Sequence, residues 1–336
     1  MAENTAISWT DHTFNPWIGC TKVSPACDHC YAEAWDKRFG GERWAPGATR
    51  TRTSADNWKQ PRKWNAAAER AGVRKKVFCA SLADVFDNKV PSEWRANLWE
   101  LIRKTPSLDW LLLTKRPQNI EKMLPENWGI GWPNVWLGTT VENQEEAERR
   151  IPSLLSIPAR VRFLSCEPLL GPVDLTKVQF GQCLRNCLTG SVLDELGQRK
   201  VMAGGPRIHW VIAGGESGPG ARPSHPYWFR QLRDQCAEAG TAFHFKQQGD
   251  WRPVSPYDCA EGETVWSDHT RQLKSGDIWT DNRKCRVLDH GGGCWENEQA
   301  QPPSHAWVME RVGKAKAGRM LDGVTHDGYP GGARDA

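Results

Sequence analysis

The sequence lacks a long hydrophobic run and a marked excess of charge of one sign. No stretch reaches the roughly 18 consecutive apolar residues that a membrane-spanning helix needs. Its 44 basic and 40 acidic residues leave a formal net charge of +4, so composition demands neither a nucleic-acid nor a membrane partner. The first residues also lack the basic and apolar segments of a signal peptide. We therefore expect a cytoplasmic protein with no membrane partner.

Several common nucleotide-binding signatures are absent as well. No Gly-Lys-Ser/Thr follows the glycine-rich turn at residues 214–220, and there is no dinucleotide-binding fingerprint, which argues against both of these sites. The chain shows no internal repeat and no low-complexity tract. Its 336 residues suffice for one large barrel with an appendage or for two modest domains.

Cysteine and tryptophan, by contrast, are plentiful. Eleven cysteines, an odd number, in a chain without an export signal favour reduced thiols, some of them metal ligands, over a disulfide framework. The 19 tryptophans are scattered from Trp9 to Trp307, which favours ordinary packing over a platform on which bases stack.

Short apolar runs alternate with amphipathic stretches, which is typical of repeated βα units around a parallel sheet. Strands are predicted at 77–81, 110–114, 135–139, 161–165, 210–213 and 243–246, with a possible first strand at 14–18, and helices at 92–104, 144–155 and 226–239. About seven strands predict an α/β fold, a partial or full (β/α) barrel over residues 1–250, with a doubly wound sheet as the alternative.

Two segments break this alternation. Residues 176–207 are expected to be a loop inserted between strands. Residues 251–328 are predicted to form an irregular or small β C-terminal appendage, and residues 329–336 a disordered tail.

Three cysteines lie within eleven residues just past the first predicted strand: Cys20, Cys27 and Cys30. Three thiolates leave one iron of a four-iron cluster, or one position on a zinc ion, without a protein ligand. The alternatives are a zinc site completed by His29 or His12, or three unrelated buried cysteines. A second metal site is a further possibility, on Cys183 and Cys187 or on Cys259, Cys285 and Cys294.

Polar residues follow six of the predicted strands. In a parallel barrel the carboxyl ends of the strands meet at one edge, where active sites are built. We therefore expect one pocket formed by these residues, although polar strand ends are also common as helix caps. The predicted set is Ser81, Asp84, Thr114, Lys115, Arg116, Thr140, Glu142, Asn143, Ser165, Cys166, Glu167, residues 214–217, Lys246, Gln247 and Gln248.

With these motifs in view, the chain resembles a family of phage and bacterial proteins grouped with the radical S-adenosylmethionine (SAM) enzymes through a three-cysteine motif. The resemblance rests on FNPWIGCTKVSPACDHCYA, DWLLLTKRP, NVWLGTTVENQ, RFLSCEPLLGPVDL, WVIAGGESGPGARP and VGKAKAGRMLDG, in that order. It spans nearly the whole chain and is least at 176–207 and 251–303. It implies a partial barrel of the radical SAM type, a 4Fe–4S cluster on Cys20, Cys27 and Cys30, and SAM on the open iron.

The chain also departs from the common superfamily pattern. Six residues separate the first two cysteines instead of three, and His29 stands where an aromatic residue usually precedes the last cysteine. The Gly-Gly-Glu that usually holds the amino group of the cofactor follows the second strand, where this chain has Ser81-Leu-Ala-Asp84. The Gly-Gly-Glu at 214–216 lies several strands later and is not its equivalent.

The resemblance, together with residue chemistry, suggests roles for the strand-end residues. Asp84 is the candidate for the cofactor ammonium, Lys115 or Arg116 for its carboxylate, and Glu142 or Asn143 for the ribose hydroxyls. Ser81 and Thr140 complete the predicted cofactor-binding set. Glu167, Glu216 and Lys246 are the catalytic candidates that hold the substrate while a 5′-deoxyadenosyl radical abstracts hydrogen from it. Such an enzyme takes electrons from an external flavodoxin- or ferredoxin-like donor.

The phage resemblance favours a substrate that is a nucleobase, a nucleotide, DNA or RNA, for modification or repair. Trp17, Trp35 and Arg116 are the residues predicted to stack on a base or pair with a phosphate. The rival hypothesis is a non-catalytic zinc-binding protein that binds nucleic acid, with Cys20, Cys27, Cys30 and His29 as structural ligands.

Overall fold

The computed structural model describes residues 5–193, 199–200, 204–256, 264–267, 270–272, 278–280, 284–295 and 305–331. Its centre is a seven-stranded sheet. The strands are β1 (His12–Thr13), β2 (Lys75–Cys79), β3 (Leu108–Thr114), β4 (Val135–Thr140), β5 (Val161–Cys166), β6 (Trp210–Gly214) and β7 (Ala242–Gln247). All neighbouring strands are parallel, and their order in the sheet is their order in the chain.

This strand order decides between the two predicted architectures. A doubly wound sheet needs a point where the strand order reverses, so that helices cover both faces. Here the order never reverses, and right-handed crossovers then place the connecting helices on one face. The predicted α/β partial barrel is confirmed and the doubly wound alternative is wrong. Within the described residues β1 and β7 do not pair with each other, so the barrel is open on that side.

The helices are α1 (Tyr31–Arg38), α2 (Ala55–Arg70), α3 (Ser92–Arg103), α4 (Gln144–Leu155), α5 (Pro226–Ala239) and α6 (Lys314–Ala317). Local sequence explains several of their ends. Asn143 caps α4 by accepting a hydrogen bond from the backbone of Glu146, and Gly240, with a φ of 65°, ends α5. Ser92 is the first residue of α3 and not its cap, which is Pro91.

Alternate residues of the strands face opposite sides of the sheet. The inner face, away from the helices, carries its own buried cluster, which includes Phe78, Leu111, Trp136, Phe163 and Trp210. Some of the aromatic rings in this cluster pack edge to face. The centroids of Trp136 and Trp210, for example, lie 6.0 Å apart with an interplanar angle of 86°. The middle layer of the partial-barrel interior is therefore a packed core. Open space remains on the side where the strands have their carboxyl ends.

The segments expected to be irregular contain strands. The predicted insertion holds a four-stranded antiparallel sheet, formed by Val178–Phe180, Cys183–Asn186, Ser191–Leu193 and Arg199–Lys200. The C-terminal region contributes a second, formed by Trp251–Pro256, Trp307–Arg311, Cys285–Leu288 and Cys294–Trp295, and a third, formed by Thr264–Ser267, Thr270–Gln272 and Ile278–Thr280. The predicted domain boundaries stay predictions.

Both ends of the chain differ from expectation. The first sheet strand ends at Thr13, and the predicted strand at 14–18 instead contributes Trp17–Ile18 to a two-stranded ribbon with Thr51–Arg52. Pro16 has no N–H to donate, which suits a break between the two. At the other end, Tyr329 packs on Trp210 with ring centroids 5.0 Å apart, and residues 332–336 of the predicted tail lie outside the described residues. No helix in the described part of the chain is long and apolar enough to cross a lipid bilayer.

Gly138 of β4 tests the packing of the inner face. A Cβ atom at this position would overlap the ring of Phe163. We expect Gly138→Ala to lower the free energy of unfolding by about 1–3 kcal/mol, the usual cost of overpacking a core. Urea denaturation followed by circular dichroism measures it. Adding Phe163→Leu should recover part of the loss, and additive losses in the double variant would contradict this packing.

Candidate active site

A cavity of about 430 Å³ opens at the carboxyl ends of the sheet strands. On one side it is bounded by residues 20–30, here called the cysteine loop. On the other it is bounded by the ends of the strands and by Lys314 of α6. Most predicted site residues line this one cavity: Cys20, Cys27, Cys30, Ser81, Asp84, Lys115, Arg116, Thr140, Glu167, Glu216 and Lys246. The structure does not bring Glu142 and Asn143 to it.

The cysteine loop presents three free thiols to the cavity. A 3₁₀ turn at Pro25–Cys27 buries Cys27, while Cys20 and Cys30 are partly exposed, and Cys30 precedes the first residue of α1. Burial raises the pKa of the Cys20 thiol to about 11; the nearby Asp84 adds to this and Arg116 opposes it. A metal must therefore displace a proton to bind there.

The thiols fit an iron–sulfur cluster by their chemistry, since thiolates are the usual ligands of such clusters. They are not yet gathered around one point: among the described residues, no three Cys, His, Asp or Glu side chains form a ready metal site. Of the other cysteines, Cys183 is exposed and Cys187 and Cys285 are buried. Cys259, part of the second predicted metal site, lies outside the described residues.

Several ion pairs hold the cysteine loop. Arg50, paired with Asp87, donates to the Thr21 hydroxyl at 2.6 Å, and three further pairs follow β3, β4 and β6. The first of these three follows β3. Arg116 Nη1 donates to Asp84 Oδ2 at 2.9 Å, and Nη2 donates to the carbonyl of Thr21 at 2.6 Å. Nη1 also lies 3.6 Å from Cys20 Sγ. Asp84 accepts further bonds from the Thr114 hydroxyl at 2.8 Å and 2.9 Å. Its negative charge is therefore matched by Arg116.

The second ion pair follows β4 and is the most buried. Glu142 is 0% exposed, and its Oε2 accepts from Arg150 Nη1 at 2.7 Å. Its Oε1 accepts from the backbone N–H of Ala26 in the cysteine loop at 3.3 Å. Glu142 thus faces the underside of the loop, and Asn143 serves as the cap of α4. Neither residue lines the cavity.

The third ion pair comes from the glycine-rich turn after β6. Arg222 binds Glu216 through Nη2 at 2.7 Å and Nε at 2.9 Å, and donates to the carbonyl of Pro25 at 2.9 Å. His29 Nδ1 lies 3.0 Å from Glu216 Oε2. Gly220, with a φ of 76°, leaves room for the His29 ring, which a side chain at this position would meet. Burial raises the pKa of Glu216, but the bonds from Arg222 and His29 outweigh it and lower the pKa.

Another ion pair lies at the cavity wall and does not touch the loop. Lys246 Nζ donates to both carboxylate oxygens of Glu167, at 2.6 Å and 2.8 Å. The amide of Gln247 adds a bond to the same carboxylate at 3.2 Å. Lys115, by contrast, lines the cavity and makes no ion pair with any described residue.

The sequence did not predict two of the arginines that pair with acidic residues at the site. Arg150 and Arg222 were not predicted as site residues, although they neutralise Glu142 and Glu216. A usable signal existed for Arg150, because it lies two helical turns beyond Glu142 on the helix that Asn143 caps. Lys314, which lines the cavity from α6, was also missed, although it lies in the quoted VGKAKAGRMLDG segment.

Comparison with known proteins gives one family and one distant structure. A family model described as "Protein of unknown function (DUF5131)" matches residues 4–330. No curated protein matches the chain. Among solved structures it is similar to a spore photoproduct lyase mutant with bound AdoMet and dinucleoside spore photoproduct, at 12% identity and a TM-score of 0.34. That match covers 49% of this chain and 47% of the other, about half the length of each.

Glu216 tests whether the third ion pair holds the cysteine loop. In Glu216→Gln, Arg222 keeps its hydrogen bonds and its ion pair with the exposed Asp28 but loses its buried counter-charge, so we expect stability to fall by about 1–3 kcal/mol. We also expect faster alkylation of Cys27 and Cys30 by iodoacetamide in metal-free protein, followed by peptide mass spectrometry. Glu238→Gln, an exposed α5 carboxylate, is the control. Equal alkylation rates in both variants would count against the anchoring role.

Proposed function

The chain belongs to the DUF5131 family, whose description names no function, and we propose that it is a radical SAM enzyme. The observation that carries the proposal is the lining of the cavity. Three free thiols on one loop face cations and carboxylates from several strand ends, at the edge of a parallel sheet where α/β barrels build active sites.

In this proposal Cys20, Cys27 and Cys30 hold a 4Fe–4S cluster. When bound, that cluster would pass one electron, received from an external flavodoxin- or ferredoxin-like protein, to the sulfonium of SAM, and breaking its C5′–S bond would give methionine and a 5′-deoxyadenosyl radical. The chain itself has three tasks. Its loop anchors hold the thiols at the cavity mouth, its unpaired Lys115 orients the cofactor carboxylate, and its packed inner face excludes water from below.

The pairings refine the proposed roles of the remaining residues. Arg116 binds both Asp84 and the cysteine loop, so we propose that Arg116, held by Asp84, positions Cys20. Glu216 does the same for residues 25–29 through Arg222. Lys246 and Glu167 stay as candidates for contact with the substrate, because their ion pair lines the cavity and holds no part of the loop.

We further propose a nucleobase or a nucleic acid as the substrate, for modification or repair. Of the residues suggested for base stacking, Trp17 is 0% exposed and Arg116 is bound to Asp84. Trp35, on α1, is 38% exposed and stays available.

The rival zinc protein makes different use of the same loop. It needs His29 or His12 as the fourth ligand. The His29 ring is bonded to Glu216, and the His12 ring stacks on Trp64 with centroids 4.4 Å apart. The stacking of His12 on Trp64 favours the iron–sulfur proposal over a zinc site with that histidine. The Glu216 bond uses only Nδ1 of His29, and a carboxylate in this position also orients zinc-binding histidines, so metal analysis decides between the two proposals for His29.

The cluster proposal predicts a coloured, air-sensitive protein after anaerobic reconstitution with iron and sulfide. We expect about four irons per chain, broad visible absorption, and 5′-deoxyadenosine on addition of dithionite and SAM. The triple variant Cys20→Ala/Cys27→Ala/Cys30→Ala should lose the iron, and Cys183→Ala, an exposed thiol on another sheet, should keep it. A colourless protein that binds zinc, or full iron in the triple variant, would overturn the assignment.

The role of Lys115 can be measured separately. We expect Lys115→Ala to weaken SAM binding to cluster-loaded protein by about 1.5–3 kcal/mol, the contribution of a hydrogen bond to a charged group. Calorimetry under anaerobic conditions gives the affinity. Lys122→Ala, a lysine beyond the cavity after β3, is the matched control. Unchanged affinity in Lys115→Ala would remove this lysine from the cofactor site.

A further inference from the structure

Helix α1 carries an exposed aromatic stripe at the mouth of the cavity. Tyr31, Trp35 and Phe39 are spaced four residues apart, which places them along one side of the helix, and they are 59%, 38% and 64% exposed. The rings of Trp35 and Phe39 pack against each other, with centroids 4.9 Å apart. Tyr31 also lines the cavity, so the stripe is continuous with it.

Large exposed aromatic groups in a row are unusual unless they contact a partner. In single-strand binding proteins such side chains are the surfaces on which successive bases stack, next to cations that follow the phosphates. The stripe has both features. Arg38 lies about two turns after Tyr31 on the same side of α1, is exposed, and makes no ion pair within the described residues. Lys22 and Lys37 pair with Glu33 on the opposite side of the helix and are not part of the stripe.

The charges inside the cavity point the same way. Each carboxylate that lines it is already neutralised: Asp84 by Arg116, Glu167 by Lys246 and Glu216 by Arg222. Two lysines that line the cavity, Lys115 and Lys314, make no ion pair with a described residue. SAM carries only one negative group, its carboxylate, which the proposed function assigns to Lys115. The ammonium of Lys314 is then left for an anionic group on the substrate.

We propose that the α1 stripe and Lys314 form a binding track for a single-stranded nucleic acid, from which one base enters the cavity. The inference rests on the proposed function, because it names the substrate class of the same cavity. Bases stack on Trp35 and Phe39, Tyr31 marks the turn into the cavity, and a phosphate meets Lys314. A duplex cannot offer its base faces to the stripe, so a single strand or an opened region is required.

The test is fluorescence anisotropy with labelled 12-nucleotide single strands of DNA and RNA and the corresponding duplexes, on the full chain with and without its cluster. We expect Trp35→Ala and Phe39→Ala each to weaken single-strand binding about tenfold, the size of one base–aromatic contact. Tyr227→Ala, an exposed helical aromatic outside the cavity, should leave it unchanged. Circular dichroism checks that the variants are folded.

The lysine is tested by salt dependence. Each phosphate contact contributes about one unit to the slope of log affinity against log salt. Lys314→Ala should therefore reduce the slope by about one, while Lys316→Ala, on the same helix but not at the cavity, should not.

Two results in the binding assay would overturn the track: duplex binding as tight as single-strand binding, and equal affinity in Trp35→Ala and wild type. If Trp35→Ala binds oligonucleotide as the wild type does but loses flavodoxin binding, the stripe is a protein docking site. Formation of 5′-deoxyadenosine without strand binding would reject the track and leave the radical chemistry standing. Strand binding that depends on Trp35, in a protein that takes up no iron, would support the track and reject the radical chemistry.

Discussion

The arrangement of the site depends on the ion pairs that fasten the cysteine loop to the sheet. The loop has little regular structure of its own beyond one 3₁₀ turn, and the contacts that position it come from below. Arg116, Glu142 and Arg222 follow three different strands, and each bonds to a different part of the loop backbone. A buried charge that loses its partner costs free energy. Each ion pair therefore also constrains the positions of the strand ends that carry its residues. The position of the thiols is thus tied to the register of the sheet.

The fold was largely predictable, and the reason is the parallel sheet. Strands buried on both faces give continuous apolar runs such as WLLLT at 110–114, which are hard to mistake. The first strand was misplaced because β1 has only two residues and leaves little signal. The small antiparallel sheet after Leu175 escaped prediction for a related reason, since short strands in polar sequence resemble loops. After Asp250 the sequence left an irregular and a small β structure open, and the described residues there contain short strands.

The sequence predicted most of the residues that lie at the site, but it did not predict which of them pair with each other. Sequence placed most of the acidic and basic residues at the correct edge, because parallel strands must end together. It could not indicate that Asp84 faces Arg116 or that Glu142 points beneath the loop, since these contacts depend on side-chain direction in three dimensions. Residues proposed for contact with a ligand, such as Glu216, are instead engaged with other parts of the protein. A polar residue at a strand end is therefore a candidate for holding a loop as much as for binding a ligand.

The open side of the barrel is crossed by both ends of the described chain. The Ser8 hydroxyl lies 2.9 Å from Nε2 of His244 on β7, the Tyr329 hydroxyl donates to the carbonyl of Ser8 at 3.1 Å, and the Trp210 indole donates to the carbonyl of Gly328 at 2.8 Å. These segments complete the wall that a closed barrel would build from strand pairing. Any version of the protein shortened to the regular elements, from β1 to α6, would expose the aromatic inner face to water along this seam, so residues far apart in sequence belong to one folding unit.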